Sequence, residues 1–241
     1  REHLRRAAGQ HQWRAGLSPH APYTVHPGLF NRLVALAAES SAPLAFHLAE
    51  SSEEIELLAT GQGLFHDVLA ELGFWDPTAI PRGTRPLDYL RRLAASGVRA
   101  LVIHGNYLAD DEIDLLAAHA DRMTVIYCPR THAYFGHPRH PLPKLLAAGA
   151  RVAVGTDSRA SNPDLNLWEE LRFVARTFAE LPPETVLRLG TIDAAHALGL
   201  GDECGSLEVG KRADLAIVPL EGRTSCEPHE LLFESTLSPL L

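Results

Sequence analysis

The chain has little cysteine, almost no methionine, no excess of basic charge and no long apolar run. Its three cysteines, Cys128, Cys204 and Cys226, are too few and too scattered for a disulfide framework or a cysteine-held zinc knuckle. A metal, if used, must therefore be held by histidine and carboxylate. No stretch reaches the roughly 20 apolar residues that span a bilayer as a helix, and the opening "REHLRRAAGQ" lacks the apolar centre of a signal peptide. The expectation is a soluble cytoplasmic protein with no membrane partner. The 22 Lys and Arg stand against 30 Asp and Glu, a net charge of −8 without long runs. That balance lacks the electrostatic footprint of a nucleic-acid binder.

What is present is an apolar, regularly punctuated sequence. With 241 residues, 46% of them hydrophobic, the chain can bury a sizeable core. Four short aliphatic runs stand out: "PLAFHL" at 43–48, "ALVIH" at 100–104, "MTVIYC" at 123–128 and "RVAVG" at 151–155. Runs this short and continuously apolar read as strands buried on both faces, the parallel-sheet pattern. "GLSPH" at 16–20 is a weaker fifth. Helical spacing fills the intervals. "SSEEIELLAT" sets Ser51 three residues before Glu54, as a capping box requires, and "ADDEIDLLAAHA" puts Ile113, Leu116 and Ala117 on one face. "PLPKLLAAGA" ends at Gly149, and "NLWEELRFVARTF" follows the last strand. Strand, loop and helix in alternation predict an α/β fold with right-handed crossovers.

Two segments depart from that rhythm. Residues 61–97 carry the turn-rich "GFWDPTAIPRGTRP" between helical stretches and read as an insertion of the kind that shapes pockets. After Ala194, "CGSLEVGKRADLAIVPL" alternates as a β-hairpin does, with turns at Gly205 and Gly210. The expected division is residues 1–200 for the α/β part and 201–241 for a smaller β element.

Polar residues gather where the apolar runs end: His20, His47 with Glu50, His104, and Asp157 in "VAVGTDS". The C-terminal ends of parallel strands form one rim, where active sites sit. A single histidine there is more often a hydrogen-bonded structural residue, and an isolated "GTD" is first a cap or a turn. Five ionisable groups on successive strand ends are better explained by chemistry. Imidazole and carboxylate suit Zn²⁺ or Fe²⁺, and a catalytic site keeps a position for water, whose pKa falls from 15.7 towards about 7. One carboxylate can take the water's proton and a second acid can deliver a proton to the leaving group; Asp157 and Glu50 fit those roles.

The pieces "SPHAPYTV", "FHLAES", "VIHGNYL", "YCPRTHAYFGH", "GTDSRASNPDL" and "GSLEVGKRADLAIV", in this order over residues 16–219, resemble the amidohydrolase superfamily, in its deaminase and chlorohydrolase branch. The resemblance implies a metal-dependent (β/α)₈ TIM barrel with a small β-sandwich made from both chain ends. It implies His47 as a metal ligand on the fifth strand and Asp157 as ligand and proton acceptor on the eighth. By the same likeness His104 hydrogen-bonds the water or binds metal, Glu50 protonates a ring nitrogen, and His20, Ser158, Ser161 and Asn162 contact substrate. One divalent ion, Zn²⁺ or alternatively Fe²⁺, is the implied cofactor. A small molecule is the implied partner, and the chain is compatible with a homo-oligomer.

The likeness also exposes a gap. The family's first-strand His-x-His pair is missing, since no His-x-His occurs anywhere in the chain. Counting back from Asp157 makes "GLSPH" the fourth strand, so the expectation is an N-terminally truncated sequence holding strands four to eight, inactive as it stands. Expected function is hydrolytic deamination of an aminated heterocycle of the adenosine-nucleoside type. The alternatives are dechlorination or amide cleavage at the same constellation, or a non-catalytic binding protein built on a degraded barrel. His132, His137 and His140 read as pocket lining, Trp75, Trp168 and Phe173 as packing, and Cys128 as a small apolar residue.

Overall fold

The computed structural model describes residues 15–220 and 227–234. In order these form α1 (Pro27–Ser40), β1 (Leu44–Leu48), α2 (Ser52–Thr60), α3 (Leu64–Glu71), α4 (Pro86–Ser96), β2 (Ala100–His104), α5 (Asp110–Ala118), β3 (Met123–Tyr127), α6 (Pro129–Tyr134), α7 (Leu142–Ala147), β4 (Arg151–Val154), α8 (Leu167–Thr177), α9 (Pro183–Leu189), α10 (Ile192–Leu198) and α11 (Pro228–Glu234). The chain divides into two compact units, Arg1–Ile126 with His137–Arg151, and Tyr127–Gly136 with Val152–Leu241.

The strands lie in one sheet in the order β1-β2-β3-β4. β1 pairs with β2 and β2 with β3 in parallel, with Leu48 opposite His104. All four strands sit where the aliphatic runs predict them. The weaker fifth run contributes less than a strand: Leu17 makes a single parallel bridge to Leu44. It is anchored by bonds from Leu17 N to Pro43 O and from Ala45 N to Leu17 O, each 2.9 Å. Pro19 and Pro22 have no N–H to give, which keeps the ladder from extending.

In the first unit the core is aromatic at its centre. Phe30 of α1, Phe46 of β1 and Tyr89 of α4 meet with centroid separations of 4.7, 5.5 and 5.5 Å. In the second unit Tyr127 meets Phe178 edge-on at 6.2 Å, and Trp168 stacks on Phe233 at 5.4 Å. The Trp168 contact agrees with a packing role.

Three helices following strands carry a buried glutamate in their first turns. Glu54 in α2, Glu112 in α5 and Glu170 in α8 are 0%, 1% and 0% exposed. Glu54 and Glu112 turn their carboxylates back to the N–H groups at the start of their own helices, whereas Glu170 reaches the first turn of α6. Glu54 accepts from Ala49 and Glu50 at 3.0 and 2.8 Å, Glu112 from Ala109 and Leu87 at 2.8 and 3.1 Å, and Glu170 from Arg130 at 2.9 Å. A helix N-terminus favours negative charge, and the orphaned N–H groups of the turn need acceptors. Ser51 is the N-cap of α2, with Oγ accepting from Glu54 N at 3.2 Å, as its three-residue spacing predicts.

Two expectations are refined. Within 61–97, α4 is a strongly buried helix, with Leu87, Tyr89, Leu90 and Leu93 in the core. The departure from the α/β rhythm is therefore the shorter stretch through α3, a helix without a buried residue and with Leu64 and Val68 exposed. The alternating tail does not form a hairpin among the described residues. Residues 205–216 are turns and irregular chain, and Leu207, Leu215 and Ile217 are exposed. Period-two alternation specifies a strand only where a partner supplies the ladder and a surface covers the apolar face.

Candidate active site

The first unit brings four of the sequence-identified residues together. β1 delivers His47 one residue before its end. The His47 backbone N–H donates to the His20 carbonyl at 2.8 Å, and His47 Nδ1 donates to the same oxygen at 3.0 Å. A carbonyl can only accept, so Nδ1 carries the proton and Nε2 presents its lone pair. The His20 ring lies 4.9 Å from that of His47, and its Nδ1 pairs with Thr24 Oγ1 at 2.6 Å.

His104 closes β2, buried, with its ring 5.3 Å from His47. Its backbone is left-handed, φ 72°, and Ala49 beyond β1 is likewise at φ 55°. Such backbone turns the chain sharply off the strand ends, a conformation L-residues adopt only under constraint. The His104 carbonyl accepts from His140 Nε2 at 3.0 Å. Glu50 lies between two partners: its Oε1 is 3.4 Å from His104 Nε2, and its Oε2 accepts from the Tyr23 hydroxyl at 3.3 Å. Burial, then the nearby Glu50 carboxylate, push the Tyr23 phenol well above its usual range, so it stays a donor.

The second unit builds the surroundings of Asp157. Asp157 follows β4 with φ 57°, and its Oδ2 accepts from Ser161 Oγ at 3.3 Å. Ser161 is buried and shares a hydrogen bond with Thr131 at 2.9 Å. Asn162, also buried, donates from Nδ2 to the Thr156 carbonyl at 2.8 Å and to Glu170 at 2.6 Å. Its Oδ1 accepts from Arg130 Nη2 at 2.9 Å. Arg130 also donates from Nε to Glu170 at 2.5 Å and pairs with Asp164. Ser161 and Asn162 thus hold the Asp157 loop from within, while Ser158 is exposed and caps its own turn through Ala160 N at 3.2 Å.

Sequence reasoning did not single out Tyr23, Glu54, Asn106, Thr131 or Arg130 as parts of these surroundings. Tyr23 stood in a quoted motif, but its partner Glu50 is 27 residues away, so no local spacing marks the pair. Of the three downstream histidines, His140 supports the His104 backbone. His137 pairs with the Tyr107 hydroxyl at 3.2 Å, and His132 is buried with its ring 5.6 Å from that of Tyr127.

In the first unit His47 and His104 each offer an imidazole nitrogen as a ligand atom, and in the second Asp157 offers a carboxylate oxygen. Two imidazoles and a carboxylate are a donor set that suits Zn²⁺. The His47 tautomer, fixed by a backbone carbonyl to present Nε2, is what a metal-ligating histidine needs. The residues fit the ion.

Histidines and carboxylates at the ends of parallel strands are the ligand types that metal-dependent α/β hydrolases use. Residues 1–236 match the amidohydrolase family, and the chain belongs to it, with that family's TIM-barrel-like fold. The 5-methylthioadenosine/S-adenosylhomocysteine deaminase of Pelotomaculum thermopropionicum is 32% identical over 225 residues, 90% of this chain and 47% of that protein. A zinc-bound adenosine deaminase from Xanthomonas campestris superposes with a TM-score of 0.71 at 31% identity, covering 89% of this chain and 46% of that one. Helicobacter pylori aminofutalosine deaminase gives a TM-score of 0.84 at 25% identity, covering 97% and 58%. The chain spans about half the length of the relatives it matches.

Proposed function

We propose that this chain is part of a metal-dependent aminohydrolase that deaminates an adenosine-type nucleoside. The observation that carries the reading is Glu50 beside His104 Nε2 at 3.4 Å, three residues beyond a histidine whose tautomer is set for metal. A bound divalent ion, Zn²⁺ in first place, supplies Lewis acidity that makes hydroxide available near pH 7. His47 and Asp157 would hold it, leaving His104 to hydrogen-bond the attacking water. Asp157, together with His104, takes one proton of the attacking water and passes it to the departing amino group, while Glu50 gives a proton to the ring nitrogen next to the amino-bearing carbon and is restored by the hydroxyl proton as the carbonyl forms. Ammonia leaves and a ring carbonyl remains. His20 and Ser158 face the substrate, and Ser161 and Asn162 shape the same pocket through Asp157 and Thr156. The names of the relatives support this substrate class, and the His-x-x-Glu spacing supports the acid.

The same reading makes the Leu17 segment and β1 to β4 strands four to eight of a (β/α)₈ barrel, residues 1–200, with 201–241 contributing to a small β-sandwich. Parallel pairing and the Leu17 bridge support that placement. The substrate is a small molecule, and the proposed setting is the cytoplasm; no helix among the described residues is long and apolar enough to cross a membrane. Ammonia release by the full-length, zinc-loaded protein, measured over a panel of nucleosides and bases, tests the proposal. Turnover of an adenosine-type nucleoside is expected, and no turnover of any aminated ring overturns it.

A further inference from the structure

We propose that Glu54 is a positioning residue that fixes the place of Glu50, an inference that rests on the reading of Glu50 as the proton donor. The dipeptide Ala49–Glu50 is gripped along both edges. On one edge the two Glu54 carboxylate oxygens take the N–H groups of Ala49 at 3.0 Å and Glu50 at 2.8 Å. On the other, the Ala49 carbonyl accepts from Tyr107 N at 3.0 Å and the Glu50 carbonyl from Asn106 Nδ2 at 2.9 Å. This grip holds Ala49 in its left-handed conformation, φ 55°, which an alanine does not keep unaided.

Capping α2 does not require the Glu54 carboxylate, because Ser51 Oγ already serves as its N-cap. A carboxylate is nonetheless wholly buried there, and burial pushes it up to about 7 against the two backbone bonds. Two adjacent N–H donors explain its identity: a carboxylate offers an acceptor to each, whereas an amide turns an NH₂ group towards one of them. The contacts of the Glu50 side chain with Tyr23 and His104 are long, 3.3 and 3.4 Å, so the backbone is the firmer constraint on where that carboxyl sits. Proton transfer is sensitive to such placement, and a shift of about 1 Å can lower a rate by about a hundredfold.

The test compares wild type with Glu54→Gln in the full-length, zinc-loaded protein. Hydrogen exchange is followed by mass spectrometry on the peptide spanning 47–52, with kcat, KM and metal content measured beside it. The expected result is exchange at residues 49–50 faster by about tenfold or more. It is accompanied by a kcat lowered about 10- to 100-fold, KM within about twofold and unchanged metal per chain. Unchanged exchange, or faster exchange with kcat per metal-loaded site intact, overturns the proposal; the latter is the signature of a merely structural role. If Glu54→Gln does not fold, Glu54→Asp, which keeps the charge but falls short of one N–H, is read by the same criteria. Glu50→Gln serves as the control for the underlying reading. Retained turnover there removes Glu50 as the acid, while the exchange comparison still decides whether Glu54 holds the loop.

Discussion

The His20 carbonyl accepts two hydrogen bonds from His47, one from its backbone N–H at 2.8 Å and one from its Nδ1 at 3.0 Å. One oxygen thereby sets both the register of the bridge segment against β1 and the tautomer of the β1 histidine. His47→Gln keeps a polar side chain of similar reach but lacks the ring nitrogen. In the full-length protein, metal content by inductively coupled plasma mass spectrometry is expected to fall well below one ion per chain. Stoichiometric metal in that variant removes His47 as a ligand.

Glu50→Gln removes the transferable proton and keeps the shape. The expected loss is about 10²- to 10⁴-fold in kcat, the range for general acid–base groups, with metal content unchanged. Steady-state kinetics on an adenosine-type nucleoside checks it, and a kcat within a few fold of wild type rules out the assigned role.

How much of this was legible in the sequence depends on the range of each signal. The four strands and the Ser51 cap were readable because aliphatic runs and three-residue spacings act locally. That His47 and His104 stand side by side was readable because neighbouring parallel strands end on a shared rim. Tyr23 with Glu50, Arg130 with Glu170, and Asn106 with Glu50 are 27, 40 and 56 residues apart, and only tertiary structure closes those distances. The tail shows the converse: Leu207 and Val209 alternate correctly, yet remain exposed and unpaired by a strand among the described residues.

Glu54 makes a pH-dependent contribution with a definite sign. Folding raises its pKa from 4.5 to about 7, so the folded state binds its proton more tightly than the unfolded chain. The resulting stabilisation is complete below about pH 4.5 and is lost as pH rises through about 7, a change on the order of 3 kcal/mol. The stability difference between wild type and Glu54→Gln, from urea unfolding across pH 4.5 to 8, should therefore shift against the wild type as pH rises. A flat difference contradicts the burial account.

The Arg130–Glu170 pair is a buried charge held by several donors at once. Glu170→Ala removes one acceptor each from the Arg130 N–H, the Arg130 guanidinium and Asn162 Nδ2 and should destabilise by about 3–5 kcal/mol. Denaturant unfolding measures it, and a loss below about 1 kcal/mol means that water replaces the carboxylate.

Ala49, His104 and Asp157 share a left-handed backbone at three strand-end loops, φ 55°, 72° and 57°. Positions of this kind invite glycine, which adopts the conformation without the penalty an L-residue bears. Selection of variants for thermal tolerance alone would be drawn to them, and at two of the three it would erase a side chain on which the proposed chemistry depends. In a breeding programme for heat resistance, Ala49 is the one to release, and His104 and Asp157 are where robustness and turnover part company.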